Sequence, residues 1–154
     1  MGEREQRMEE KGFKVDVELP PGAIYRPVSR NGNTLYVSGA VPIENGRIPY
    51  KGKVPSVVSL EDAQKAAAIC VANNLRMVYQ ELGSFDDIES IVRLTGYVNT
   101  DLDFTEQHVV INGGSQLLLD VFGDAGLAAR TAIGVAQLPL NSSVETEMII
   151  KLKD

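Results

Sequence analysis

The sequence predicts an α+β domain, one sheet with two long helices packed on one of its faces. Three observations carry that prediction. A repeat of small and branched apolar residues at helical spacing runs from Ser59 to Leu82 without interruption. Segments alternating with period two lie on both sides of it, at 34–38, 90–98 and 130–150. A second helical segment, 103–122, separates the last two. The resulting order, ββ(β)αβαββ, packs a layer of helices on a layer of strands.

Taken from the start, MGEREQRMEEKG is charged and polar and reads as a frayed helix or disordered leader. We therefore expect a flexible N-terminal leader over 1–15 and a single domain over 16–154. The leader has no apolar stretch of the kind a secretory signal needs, and Gln6 stands where a myristoylation motif wants Ser or Thr. Pro20-Pro21-Gly22 breaks the chain before a first strand near 24–29. Arg30-Asn31-Gly32-Asn33 is a hairpin turn carrying Asn-Gly. It leads into strand 34–38, where Leu35 and Val37 alternate against Tyr36 and Ser38. Residues 42–58 contain Asn45-Gly46, Gly52 and Pro55 and read as a loop with room for one short strand.

Ser59 is the expected N-cap of the first long helix, with Glu61 and Asp62 complementing the dipole of its first turn. Ala63, Ala67, Val71, Leu75, Val78 and Leu82 then recur on one face until Gly83 stops it. Asp86-Asp87-Ile88-Glu89 leads into strand 90–98. The second helical region runs from near Asp103 to Phe122-Gly123 and contains Gly113-Gly114. Two interior glycines cost about 2 kcal/mol relative to alanine. A break is expected there, with Asn112 or Ser115 capping the better half through Val121.

Residues 130–150 read RTAIGVAQLPLNSSVETEMII, two alternating runs joined by a Pro-centred turn. Period two puts Arg130, Ala132 and Gly134 on one face of the first run and Thr131, Ile133 and Val135 on the other. In the second, Val144, Thr146, Met148 and Ile150 oppose Glu145 and Glu147. Paired as a hairpin turning near Leu138 and Pro139, residue 132 faces 145 and residue 130 faces 147. Glu145 then lies diagonal to Arg130, roughly 7–8 Å away. An arginine and two carboxylates over a floor of Ala and Gly have the composition of a site. They also suit a plain Arg130–Glu147 ion pair, worth ~0.2–1 kcal/mol when exposed. Spacing leaves both readings open.

Bulk properties narrow the function. With 44% apolar and 23% charged residues, the composition is that of an ordinary globular domain. The net charge of −6 argues against nucleic-acid binding, which needs clustered Lys and Arg. The apolar stretches are strand-sized, too short for a transmembrane helix. Cys70, the one cysteine, lies in an apolar run, so it reads as a core thiol in a cytoplasmic protein. The single histidine, His108, reads as a helix-surface or packing residue. One His and one Cys make no metal-ligand set. We expect neither metal nor cofactor. A sheet covered on one face only, with apolar residues such as Ile149 on the other, is expected to meet a partner.

The chain carries a specific resemblance. Arg130-Thr131, Val135, Leu138-Pro139 and Val144-Glu145-Thr146-Glu147 resemble the C-terminal signature of the Rid family of imine deaminases, also called YjgF and formerly endoribonuclease L-PSP. Upstream, Tyr25 precedes Ser38-Gly39-Ala40-Val41-Pro42 at the family's spacing, and Leu94-Thr95-Gly96-Tyr97-Val98-Asn99 before Asp103-Phe104 is similar to its central strand. Together these cover roughly residues 22–150. The resemblance implies a chorismate-mutase-like fold, a homotrimer with sites in the clefts between subunits, and hydrolysis of a small carboxylate-bearing imine or enamine to a 2-keto acid and ammonia. It implies catalytic roles for Arg130, Glu145 and Tyr25, and substrate contacts for Arg130, Ser38, Gly39, Ala132 and Ser115. Arg130 would grip the carboxylate and Glu145 would handle water. The chain departs from the family pattern at Ala132, where many members carry cysteine, in the shorter segment 123–129, and at Ser115, where many carry asparagine, with Asn112 out of register. Gly113-Gly114-Ser115 followed by a long apolar run resembles a divergent branch of the family. Two function classes follow: a metal-free deaminase, or a trimeric module that binds or senses a small carboxylate without turnover. A third, a ribonuclease, lacks both a basic patch and a histidine pair.

Overall fold

A computed structural model describes residues 1–20 and 22–154; Pro21, in the middle of the expected Pro-Pro-Gly break, lies outside the described residues. The strands are β1 (Val28–Asn31), β2 (Thr34–Ala40), β3 (Ile88–Asn99), β4 (Ala129–Val135) and β5 (Val144–Leu152), and the helices α1 (Glu3–Glu10), α2 (Leu60–Leu82) and α3 (Gln107–Phe122). They build the expected α+β architecture, a five-stranded mixed sheet in the order β1-β2-β5-β3-β4.

Two crossovers explain the layering. β2–α2–β3 and β3–α3–β4 each step in the same direction along the sheet, and right-handed crossovers taken in one direction put both helices on one face. β5 fills the gap between β2 and β3, antiparallel to both, while β4 pairs parallel to β3. α2 begins at the expected cap, where Ser59 Oγ accepts a hydrogen bond from the Asp62 amide at 3.1 Å. It ends at Gly83, whose φ of 77° suits glycine. Ala63, Ala67, Cys70, Val71 and Leu75 are buried beneath it with Leu94, Val98, Val144 and Met148 from the sheet.

The structure corrects four expectations. α3 does not break at Gly113-Gly114. A Cβ on Gly113 would lie 2.1 Å from the Gln64 carbonyl oxygen, and one on Gly114 2.7 Å from Val71 Cγ2. The two glycines let α3 press against α2, and that packing overrides their poor helix propensity. Neither Asn112 nor Ser115 caps a helix; both are interior to α3.

The second correction concerns the N-terminus. Residues 3–10 are helical and packed: Glu5 and Met8 are buried. Glu5 Oε1 accepts from the Phe85 amide at 2.6 Å, and Arg4 Nη1 donates to the Phe85 and Ile88 carbonyls at 3.0 and 2.7 Å. Val15, on the leader side of the expected boundary, is fully buried. Third, the first strand starts at Val28 rather than near residue 24, because Ile24 is fully exposed and has nothing to pack on.

The fourth correction matters most. β4 and β5 are not a hairpin; β3 lies between them. Arg130 pairs with Leu94, which pairs with Met148; Thr131 pairs with Thr95, which pairs with Glu147; Glu145 pairs with Tyr97. Arg130 therefore shares the helix-covered face with Leu94 and Met148, while Glu145 and Glu147 project from the opposite, open face beside Tyr97. The sorting within each strand is as expected, but the two strands are out of phase with the assumed pairing. An Arg130–Glu147 ion pair within one chain is thereby removed. The open face also carries Tyr36 and Ile133, both more than 40% exposed. No helix among the described residues is long and apolar enough to cross a membrane.

Candidate active site

The predicted site residues fall into two groups on opposite faces of the sheet. The first gathers where β2 ends beside β5. Between Val37 and Ala40 the β2–β5 ladder slips, and the strand bulges at Ser38-Gly39. Two buried asparagines from α2 hold that bulge. Asn74 Nδ2 donates to the Ser38 and Thr146 carbonyls at 3.0 and 3.1 Å, and Asn73 Nδ2 donates to those of Val41 and Ile43 at 3.0 and 2.9 Å. Thr146 Oγ1 donates to Asn74 Oδ1 at 2.6 Å, so both ends of the Asn74 amide are matched.

With the bulge so fixed, Glu145 lies across Gly39, and a Cβ on Gly39 would come within 3.0 Å of Glu145 Oε2. A side chain there would make the carboxylate give by a few tenths of an ångström. Burial and, next, the charge of Glu147 push the Glu145 carboxyl above its ordinary range. Glu147 is held by a hydrogen bond from the Tyr97 hydroxyl, whose own pKa that bond pushes up to about 12. Glu145, Tyr25, Ser38 and Gly39 line one cavity of about 530 Å³, a volume typical of small-molecule sites. Ser38 Oγ is committed to the Arg26 carbonyl at 2.6 Å, and its backbone N–H donates to the Pro27 carbonyl at 2.9 Å. Leu140 completes the wall in a left-handed conformation, φ 59° and ψ 22°, which costs a branched side chain roughly 1–2 kcal/mol.

The second group surrounds Arg130 on the helix side of the edge strand β4. Its Nη1 donates to Asn112 Oδ1 at 2.7 Å and Ser115 Oγ at 3.1 Å, and its Nη2 to the His108 carbonyl at 3.2 Å. These bonds orient the guanidinium and leave its Nε edge without a partner among the described residues, so one fork is open for a carboxylate. Arg130, Asn112 and Ser115 line a second cavity of about 240 Å³. Ala132, two residues along the same face, packs against the core and lines neither cavity.

Within one chain, then, Tyr25, Ser38, Gly39 and Glu145 come together, as do Arg130 and Ser115. The two groups do not. β4 and β5 are two strand spacings apart, roughly 10 Å, before the thickness of the sheet is counted. Asn112, Asn73, Asn74 and Leu140 were not assigned from sequence. Asn112 and Ser115, three apart on one helical face, carried a signal in that spacing. So did two adjacent asparagines in an apolar helix. Leu140 carried none. Among the described residues, no three His, Cys, Asp or Glu side chains converge as metal ligands.

Comparison with known proteins is consistent with this architecture. The profile of the family described as "YjgF/chorismate mutase-like, putative endoribonuclease" matches residues 8–152. Protein TCP17 of Trypanosoma cruzi is 33% identical over 144 residues, covering 93% of this chain and 90% of that protein. The crystal structure of the protein Atu1372 from Agrobacterium tumefaciens superimposes with a TM-score of 0.92 at 40% identity, covering 99% of this chain and 94% of the other. That of E. coli TdcF with bound serine superimposes with a TM-score of 0.60 at 26% identity, covering 87% and 93%. The chain belongs to the YjgF/chorismate-mutase-like family.

Proposed function

We propose that this member of the YjgF family hydrolyses 2-imino acids to 2-keto acids and ammonia in a cleft between two copies of the chain, arranged as a homotrimer. One copy supplies Arg130 and the other Glu145, Tyr25 and the Gly39 backbone. The observation that carries this reading is the division of the site. Two concave surfaces, one with an open guanidinium fork and one with a carboxylate held above its ordinary pKa, lie on opposite faces of one sheet. A second copy laid against the open face can bring them together. The exposed Tyr36 and Ile133 on that face favour such a contact.

The chemistry follows from the residues. The Arg130 fork takes the substrate carboxylate in a bidentate pair. Water adds to the imine carbon as Glu145 accepts its proton, giving a tetrahedral carbinolamine. Glu145 returns that proton to nitrogen. The hydroxyl then passes its own proton to Glu145 as the carbon–nitrogen bond breaks, leaving the ketone and ammonia, and ammonia carries that proton away as ammonium. A carboxyl pushed up toward the working pH is better matched to taking and returning a proton than an ordinary one. The imine carbon is already electrophilic, so the barrier left to lower is modest. Tyr25 closes the cavity and donates a hydrogen bond. The serine on TdcF is a small carboxylate of the same class as the proposed substrate. A ribonuclease activity finds little support in a chain of net charge −6 with one histidine.

The test generates 2-imino acids with an amino-acid oxidase and follows keto-acid release with purified protein. Acceleration that is lost in Arg130→Ala and in Glu145→Gln is expected. No acceleration with any imine overturns the hydrolase reading. Carboxylate binding that persists without turnover and vanishes in Arg130→Ala assigns the chain to the sensing class instead.

A further inference from the structure

The cavity beside Glu145 is much larger than a three-carbon imine, and it continues in a direction the proposed chemistry does not use. Glu145 projects from the open face of the sheet, whereas Met77 and Asn73 belong to α2, which covers the other face; all three line the same cavity. The space therefore passes round the end of β2 and runs under the flank of α2. Away from Glu145 its walls are apolar: Leu19, Val41, Ile43, Met77 and Leu140. Asn73, the polar residue on that wall, has its amide nitrogen committed to the Val41 and Ile43 carbonyls and its oxygen to Arg76 Nη1 at 2.8 Å. It offers the occupant nothing polar. Those bonds hold the wall at Val41 and Ile43 in place.

Resting on the reading of Glu145 as the proton-handling group, we propose that the site selects imino acids with a long or aromatic apolar side chain, and that Met77 and Leu140 set the size accepted. With the imine carbon at Glu145 and the carboxylate on the neighbouring copy's Arg130, the third substituent of that carbon enters the apolar passage. A small substrate leaves this passage filled with water that finds almost no polar partners. A large one expels it. Losing one methylene from a contact in a hydrophobic pocket costs about tenfold or more in kcat/KM, so the preference is large enough to read.

The experiment compares imines made in place from phenylalanine, leucine and alanine, together with calorimetric binding of phenylpyruvate and pyruvate as unreactive probes. The wild-type chain is expected to favour the phenylalanine- and leucine-derived imines over the alanine-derived one by about tenfold or more in kcat/KM. Met77→Trp, which fills the passage, is expected to lower that ratio at least tenfold. Leu140→Ala, on an exposed loop where folding is not at stake, lowers it several-fold. Turnover with no preference for the larger imines overturns the inference and leaves the hydrolase reading standing. No turnover at all, with phenylpyruvate bound tenfold tighter than pyruvate and weakened by Leu140→Ala, supports the pocket and overturns the hydrolase. Equal or absent binding of both probes without turnover overturns both.

Discussion

Glu145 is held in conditions that oppose its ionisation, half-buried across Gly39 with the Glu147 carboxylate as its neighbour two residues on. Its folded pKa is raised, so it binds a proton more tightly in the folded chain than in the unfolded one. The cost to stability is absent below the ordinary carboxylate range. It grows as pH rises from about 4.3 through the raised value and is complete above it. Glu145→Gln is expected to abolish turnover and to raise the melting temperature at pH 7 by roughly 1–3 °C, modest because solvent still reaches the group. At pH 3 the variant and the wild type should melt alike; thermal scans at both pH values check this. Glu147 contributes through charge. Glu147→Gln removes the neighbouring negative charge, lowers the Glu145 pKa and moves the acidic limb of the kcat/KM profile to lower pH. A pH profile with an unmoved limb would leave the raised value to burial alone.

At the level of elements, most of the secondary structure is legible because it is local. The Ser59 cap, the Gly83 stop and the apolar stripe between them are enough to predict α2, and period two sorts the faces of β4 and β5 correctly. What is not legible is which strand lies beside which. Adjacency in sequence favours a hairpin for 130–150, but β3 pairs on both edges, with β4 and β5, and β5 also pairs with β2. A phase error of that kind moves an entire face, as it did for Arg130 relative to Glu145. That Tyr25, Gly39 and Glu145 share one cavity is legible in motif spacing; the separation of Arg130 from them within one chain is not. Gly113-Gly114 failed for a related reason, since propensity is local and helix–helix contact is not. Gly113→Ala makes the distinction measurable. Helix propensity alone predicts a gain of up to about 1 kcal/mol. The 2.1 Å approach to the Gln64 carbonyl predicts a loss of about 2–4 kcal/mol. Denaturant unfolding should show the loss.

For the whole molecule, one sheet face is covered by α2 and α3 and the other is open, with Tyr36 and Ile133 exposed on it. A homotrimer has a mass of about 50 kDa, three times 16.7 kDa, and light scattering at micromolar concentration is expected to find it. In the proposed assembly each site takes Arg130 from one chain and Glu145 from another. Arg130→Ala and Glu145→Gln are each expected to be inactive alone. Unfolded together in equal amounts and reassembled, they form mixed oligomers in which about a quarter of the clefts pair an intact Arg130 with an intact Glu145, provided the subunits are arranged head to tail. Recovery of about a quarter of wild-type imine hydrolysis in mixtures shown by native mass spectrometry to contain both chains is the predicted result. Mixed oligomers that remain inactive would contradict the divided site.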